Sequence, residues 1–596
     1  MPPWKPSPGP VHFVGERRLT ESQIATLEQW AAAGAPQGDP HHLPPAPSWT
    51  SSWQLGEPDL VITLPEYTLR ADGLDVFRNF VVTVPGRGIH YVRGFEFSPG
   101  SQAVHHANIR VDATTASRQL DEADPEPGYE GLILNSAEYP DGNFLGWTPG
   151  QIVPLAPKGL AWTLTGGSDF VVQLHMRPTG KPEHISASIA LYFSPDPPTE
   201  HPAMLRLGRQ NLDIPAGDTD YTSIDTYTLP VDAQVQAIQP HSHYRARTMT
   251  AWALLPNGSK QSLITIPRWD FNWQDAYRYV TPFWLPAGTE IFSEFHFDNS
   301  AANPANPASP PARALWGFRS SDEMADTWIQ VLTRNEIDRN RLVGDFRIKA
   351  DVEDIAGYET QISLDPTYAA LHNDVAVLYL EVGRPDDAIS HFETVTRLQP
   401  GSASAQFNLA TALEAASRLD DALAHYKQAL TIDPKYARAH VNLGTLMLRA
   451  GRLDDARNEY LSAVSADASN ADAQNDLGKV LVALHDTANG VAHLTEALRL
   501  RPDFPEAHFN LGEALMSGAD RKPAAAIAQY AAALKLRPDW LPCLERLAMA
   551  YAVNGEFDAA IATDSHARQL VPRTDSAHLA AIDKRIAAYR SRRPIE

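Results

Sequence analysis

Cysteine is almost missing from this chain: Cys543 is the only one in 596 residues. A lone thiol excludes an intrachain disulfide, a cysteine zinc site and a Cys-x-x-Cys-His haem attachment. Long apolar runs are missing too, and none approaches the length of a membrane span. Positive charge is scarce. Lys and Arg total 50 against 72 Asp and Glu, a net charge of −22. That argues against nucleic acid or an anionic membrane as the partner. The opening MPPWKPSPGP has no charged segment followed by an apolar one, so no signal peptide is visible. Taken literally, the chain stays in the cytoplasm.

What is present falls into blocks. A chain of this length is too long for one core, so several domains are expected. In the first block, residues 1–48, Thr20 is placed to cap an amphipathic helix that runs through Leu27-Glu28-Gln29-Trp30 and stops at Gly34-Ala35-Pro36. Such a helix docks on the next domain. Pro36 to Pro47 reads as a stiff linker, with His41-His42 a solvated pair inside it.

From about residue 52 the pattern is β. Runs rich in Val, Ile, Thr, Phe and Tyr alternate with Pro, Gly, Asn and Asp turns: 59–64, 77–84, 89–97, 104–113, 161–165, 169–176, 186–193, 222–229, 233–240, 246–255, 261–266, 276–283, 289–297 and 327–333. Many short strands without helical period predict all-β, jelly-roll-like sandwiches. PDPPTEHP at 195–202 divides them into domains 49–198 and 199–355.

From about 357 the period becomes helical and repeats. Pro366, Pro400 and Pro434 are 34 apart, and Asn408-Leu409-Ala410, Asn442-Leu443-Gly444, Asp476-Leu477-Gly478 and Asn510-Leu511-Gly512 keep step. That is the tetratricopeptide pattern, so 356–596 is expected to form an all-α superhelix of about six repeats with a capping helix. Such a groove takes a protein or peptide. His372, His391, His425, His440, His493 and His508 on these helices read as surface or packing residues.

The chemistry sits in the β-region. In Pro240-His241-Ser242-His243-Tyr244, residues i and i+2 of a strand share a face, so His241 and His243 project side by side. Met324 in Asp322-Glu323-Met324 adds a thioether, a soft donor that favours Cu(I) over zinc or magnesium. His105-His106 would need a bulge or strand end to bring both rings to one ion. His175 comes from another strand of the same domain. Three imidazoles suit copper, zinc or iron.

His105-His106, Gln173-Leu174-His175, His241-Ser242-His243 and Asp322-Glu323-Met324, with Phe297-Asp298-Asn299-Ser300 and Trp316-Gly317, occur in the order and rough spacing of the copper type II, ascorbate-dependent monooxygenases. Residues 75–340 resemble that family, whose members include the peptidylglycine α-hydroxylating and dopamine β-monooxygenases. The resemblance implies two sandwiches facing across a wet cleft. It implies an electron-transfer copper on His105, His106 and His175, and a second, oxygen-activating copper on His241, His243 and Met324. It implies O₂, a reductant such as ascorbate and a small organic substrate whose C–H bond is hydroxylated. Trp328 and Gln239 stand where the peptide hydroxylases present a Tyr and an Arg to a substrate carboxylate, which argues against a peptidyl-glycine substrate. Arg245, Arg247 and Arg268 lie outside the motif and read as surface or structural. Asp270, Asn272, Trp273 and Gln274 form an aromatic-polar loop that could line the cleft.

The start carries a second resemblance. Met1-Pro2-Pro3-Trp4 and a closing helix ending in Gly-Ala-Pro resemble the last third of a small c-type cytochrome domain, which implies Met1 as an axial ligand. A haem enters only with a Cys-x-x-Cys-His segment upstream of Met1, and with it an exported, extracytoplasmic protein. The rival to the enzyme is a copper-binding or metal-free scaffold acting through the tetratricopeptide array. A zinc hydrolase is disfavoured, because no His-Glu-x-x-His supplies a general base.

Overall fold

Every β segment named above forms a strand, with ends within about two residues of the expected ones. The computed structural model describes residues 5–595 other than 17, 40–52, 74, 87, 115, 131–135, 144, 150, 152–154, 318, 519 and 520. Met1 and His41-His42 lie outside the described residues. The chain divides into two compact units, Met1–Asp365 and Pro366–Glu596.

The first unit contains two pairs of antiparallel sheets. In the earlier pair, one sheet orders Leu60–Thr63, Ser188–Ser194, Ile89–Ser98 and Trp162–Thr165. The other centres on Asp169–Met176, flanked by Val76–Thr83 and Val104–Asp112. Alternation on Asp169–Met176 decides what each face does. Phe170, Val172, Leu174 and Met176 enter the core shared by the two sheets, each contributing about 1.5–3 kcal/mol of burial. His175 is on the opposite face.

The later pair repeats the plan. Ala203–Leu207, Ala325–Thr333, Ala233–Ser242 and Tyr277–Leu285 form one sheet, and Tyr221–Thr228, Glu290–Phe297, Ala246–Leu254 and Lys260–Ile266 the other. Ile238, Met249, Phe295 and Ile329 meet in their common core. Residues after Thr333 differ from the expected boundary at 355. A single helix, Glu336–Leu364, is capped by Asn335 and packs Leu342 and Phe346 into this core.

The N-terminal segment docks by a different part than expected. The capped helix, Glu21–Ala32, buries none of its residues, although Thr20 and Gln23 form a full capping box. It is Phe13 that anchors, bridging to Tyr279 and packing against the rings of Tyr277 and Tyr279 at 5.4 and 5.0 Å. An isolated aromatic in a proline-rich stretch carries no period, so the sequence gives no sign of this role.

The second unit is helical. Among the described residues, six helix pairs run from Ala369–Glu381 with Pro385–Leu398 to Leu541–Val553 with Phe557–Leu570, and Ser576–Arg590 follows them. Small residues let the paired helices touch. A Cβ on Gly444 would meet the Tyr460 ring at 2.9 Å, one on Gly478 would meet Leu494 at 2.7 Å, and one on Gly512 would meet Tyr530 at 2.5 Å.

Candidate metal centre

The strand ladder explains how adjacent histidines share a site. His175 pairs with His106, but Met176 pairs with Val104, so His105 is the extra residue of a bulge. The bulge turns His105 to the face that His106 and His175 already share. One nitrogen from each of the three lies within 4.8 Å of the others. His175 turns Nε2 to Asp75 Oδ2 at 2.8 Å and Nδ1 to His106 Nδ1 at 3.3 Å. Asp75 also accepts from Ser320 Oγ at 2.6 Å. The His175 hydrogen bond, aided by Ser320, holds the Asp75 carboxyl down at about 2. A carboxylate behind a ligating imidazole fixes its tautomer and raises its basicity.

The second set comes from the end of Ala233–Ser242, an inner strand of the later sandwich. The ladder ends with His241 opposite Asp326 and then Ser242 opposite Ala325. His243 follows Ser242 and Met324 precedes Ala325, so the two residues flank the last pair of the ladder. The His241 and His243 rings are 5.3 Å apart. Each tautomer is set. Gln274 Nε2 donates to the carbonyls of Ser242 and Phe271, so its Oε1 accepts from His241 Nδ1–H at 2.7 Å. His243 Nδ1–H donates to the Asp322 carbonyl at 3.2 Å. Both Nε2 atoms keep their lone pairs.

Glu323 holds this loop. It is fully buried and accepts from the backbone N–H groups of His243 at 2.6 Å and Arg245 at 2.9 Å, and from Ser242 Oγ at 3.2 Å. Burial pushes its carboxyl up to about 7 in spite of those donors. Arg245 is structural: it is buried and donates to Asn299 Oδ1 and the Ser321 carbonyl, both at 2.8 Å.

Where the resemblance implies a wet cleft, direct hydrogen bonds join the two sandwiches. Thr148 Oγ donates to the Gln274 carbonyl at 2.6 Å, Arg177 Nη1 to Tyr244 Oη at 2.9 Å, and Gln330 Nε2 to Asn143 Oδ1 at 3.0 Å, all between the two sandwiches. Phe271 of the later sandwich stacks on His105 at 4.5 Å. Across this seam the two histidine sets are neighbours, with the His106 and His241 rings 6.3 Å apart. The Asp270–Gln274 loop does line this seam, through Phe271 and Gln274.

The residues fit a soft or borderline cation. His105 Nδ1 is buried without a hydrogen-bond partner among the described residues, which is costly unless something binds it. Burial pushes His105 and His241 down to about 4, and His106 and His243 well below the usual 6.5. Neutral imidazoles at physiological pH are the ligating form. Met324 is half-buried and packs against the core of the later sandwich. Asp75 and Glu323 were not legible as site residues; only Glu323, inside Asp322-Glu323-Met324, carried a signal.

The repeat-unit histidines have another role. His425 bonds Gln406, His440 bonds Glu459, His493 bonds Gln474 and His508 bonds Gln529, each at 2.7–2.8 Å. His372 and His391 form the equivalent contact at 2.9 Å. These bonds tie the two helices of a pair at the same place in successive repeats. A tetratricopeptide-repeat family model matches residues 375–437 and 475–539, and a second matches 413–480. The helical array is a tetratricopeptide array. Among solved structures, the chain is similar to YrrB, a tetratricopeptide protein with an unusual peptide-binding site (24% identity, 32% of this chain and 97% of that one, TM-score 0.29). It is also similar to pilF of Pseudomonas aeruginosa (19%, 36% and 96%, TM-score 0.33) and to PilW, a type IV pilus biogenesis factor (19%, 36% and 97%, TM-score 0.33). No curated protein matches the chain. No helix among the described residues is long and apolar enough to cross a membrane.

Proposed function

We propose that the chain binds copper at the seam of its β-unit and engages a protein or peptide partner through its tetratricopeptide array. The partner half is supported by the matched repeats, since stacked helix pairs present extended concave binding surfaces. The copper half is carried by one observation: three imidazoles, those of His105, His106 and His175, offer donor atoms within 4.8 Å of one another. Zinc and iron suit that set equally. Met324, which flanks the last ladder pair beside His243, tilts the choice to copper, because a thioether is a poor partner for harder cations.

A second reading extends the first. It is copper-dependent hydroxylation of a C–H bond in a small organic substrate, consuming O₂ and two electrons from a reductant such as ascorbate, with one oxygen atom entering the substrate and the other leaving as water. Two donor sets of unlike chemistry on adjacent sandwiches favour it, together with the family resemblance of residues 75–340. Bound copper supplies one-electron transfer and O₂ reduction. The chain's own residues hold and orient. His105, His106 and His175 would ligate one ion, with Asp75 setting the His175 tautomer. His241, His243 and Met324 would ligate the other, with Gln274 and the Asp322 carbonyl setting their tautomers. Phe271 shields His105 from water.

Oxygen uptake separates the readings. Copper-loaded full-length chain, given ascorbate and a panel of small organic substrates, is expected to consume O₂ and form hydroxylated product in equal amounts. Tightly held copper with no substrate-dependent uptake would leave the copper-binding scaffold as the function.

A further inference from the structure

A cavity of about 740 Å³ opens on the surface beside the first histidine set, within the size range of small-molecule sites. Its charge is out of keeping with the chain. In a protein of net charge −22, it is lined by Arg177, Arg247 and Arg268 against a single acid, Asp270. Asp270 is neutralised from outside by Lys5 at 3.0 Å. Arg247 is paired only loosely, with Asp298 at 3.9 Å. Arg177 spends one nitrogen on a neutral hydroxyl, Tyr244 Oη. Arg268 makes no hydrogen bond or ion pair among the described residues. The lining therefore holds more guanidinium capacity than the protein satisfies.

The walls add an apolar surface. Phe271 and Tyr244 meet with ring centroids 4.2 Å apart, and both line the cavity. The far face of that wall is the metal centre, because Phe271 stacks on His105 at 4.5 Å and stands edge-on to His243 at 5.7 Å. A planar body against these rings with an anionic group on the arginines satisfies both features. Arginine forks favour carboxylates in bidentate geometry, and the positive patch draws anions from solution.

We propose that this cavity binds a small organic carboxylate with a planar apolar body, held by Arg177, Arg247 and Arg268 and lying one aromatic ring from His105. The proposal gives a ligand class to the oxidative reading but stands on the cavity alone, so it is tested without metal and its failure leaves the copper question untouched. Metal-free full-length chain is titrated calorimetrically with benzoate, with neutral benzamide and with inorganic phosphate. Benzoate is expected to bind, benzamide and phosphate at least about tenfold more weakly. Arg268→Ala is expected to weaken benzoate about five- to tenfold, and Arg247→Ala with Arg268→Ala further. Both side chains are exposed, so the fold is expected to persist, checked by an unchanged melting temperature. No benzoate binding, benzamide binding as tightly as benzoate, phosphate competing equally, or indifference of benzoate to the double variant would each overturn the proposal.

Discussion

The rings of His106 and His241 lie 6.3 Å apart across the seam between the two sandwiches, close to perpendicular at 78°. One belongs to the bulged His105–His106 strand, the other to the His241–His243 segment. Five imidazoles thus run in one continuous cluster from His105 to His243. The contact is long-range in sequence and depends on how the two sandwiches meet. Groups on either side therefore tune one another, and the positioning residues behind the rings become testable separately from the rings.

Asp75 is the first such residue. Asp75→Asn keeps the shape and one acceptor but removes the negative charge behind His175. Copper affinity of the first set is expected to fall about 10- to 100-fold, measured by competition with a chelator of known affinity. The copper held by the second set is expected to stay. Unchanged affinity would mean that Asp75 only ties the two sandwiches through Ser320.

Glu323 is the second. Glu323→Gln places an amide N–H₂ among backbone donors that need an acceptor. The loss of charge-assisted hydrogen bonds at a fully buried site is expected to cost about 2–4 kcal/mol, read from denaturant unfolding of the full chain. The same variant is expected to disorder the His243–Arg245 backbone and lower copper held by the second set. Wild-type stability would contradict the anchoring role.

Neither residue is announced by the sequence, and the reason is physical. Asp75 meets His175 at a separation of 100 residues, and Glu323 meets the His243 N–H at 80. Periodicity reports which way a side chain faces within its own strand, not which distant strand will lie opposite. The strands themselves were legible, because alternation and turn residues are local. The sharing of one site by adjacent His105 and His106 was legible only as a condition, a bulge, and the ladder supplies it. The docking of Phe13 and the hydrogen bonds across the seam had no local signature. The repeats were the easiest part to read, since a 34-residue period repeats its own evidence.

Acid stability offers a prediction away from the metal. Asp112 is fully buried and accepts from the backbone and hydroxyl groups of Thr114 and Ser117, and from Ser136 Oγ. Burial pushes its carboxyl up, but the Ser117 and Thr114 hydrogen bonds outweigh burial and hold it at about 2, below the ordinary 3.8. The unfolded chain therefore binds this proton first. The stabilisation, about 2 kcal/mol, is complete above pH 4 or so and is lost as the pH falls from about 4 to about 2. Urea midpoints of wild type and Asp112→Asn between pH 6 and 2 are expected to converge at the acid end. Parallel curves would contradict the assignment.

Two glycines in helices are expected to respond oppositely to alanine. Gly512→Ala drives a Cβ to 2.5 Å from the Tyr530 ring, and overpacking of that kind costs about 1–3 kcal/mol. Gly344→Ala meets nothing within 4 Å and gains helix propensity, up to about 1 kcal/mol. Thermal unfolding is expected to shift down for the first and up for the second. Equal shifts would mean that the close helix approach at Gly512 is not a constraint.

The most direct measurement is the count of copper per chain. Purified full-length protein is loaded, stripped of loose metal and assayed beside His175→Ala and Met324→Ala. Two coppers in wild type, falling to about one in each variant, is the expected result for one ion on His105, His106 and His175 and another on His241, His243 and Met324. No tightly held copper, or a count indifferent to both substitutions, would contradict the metal centre and leave the tetratricopeptide array as the working part of the chain.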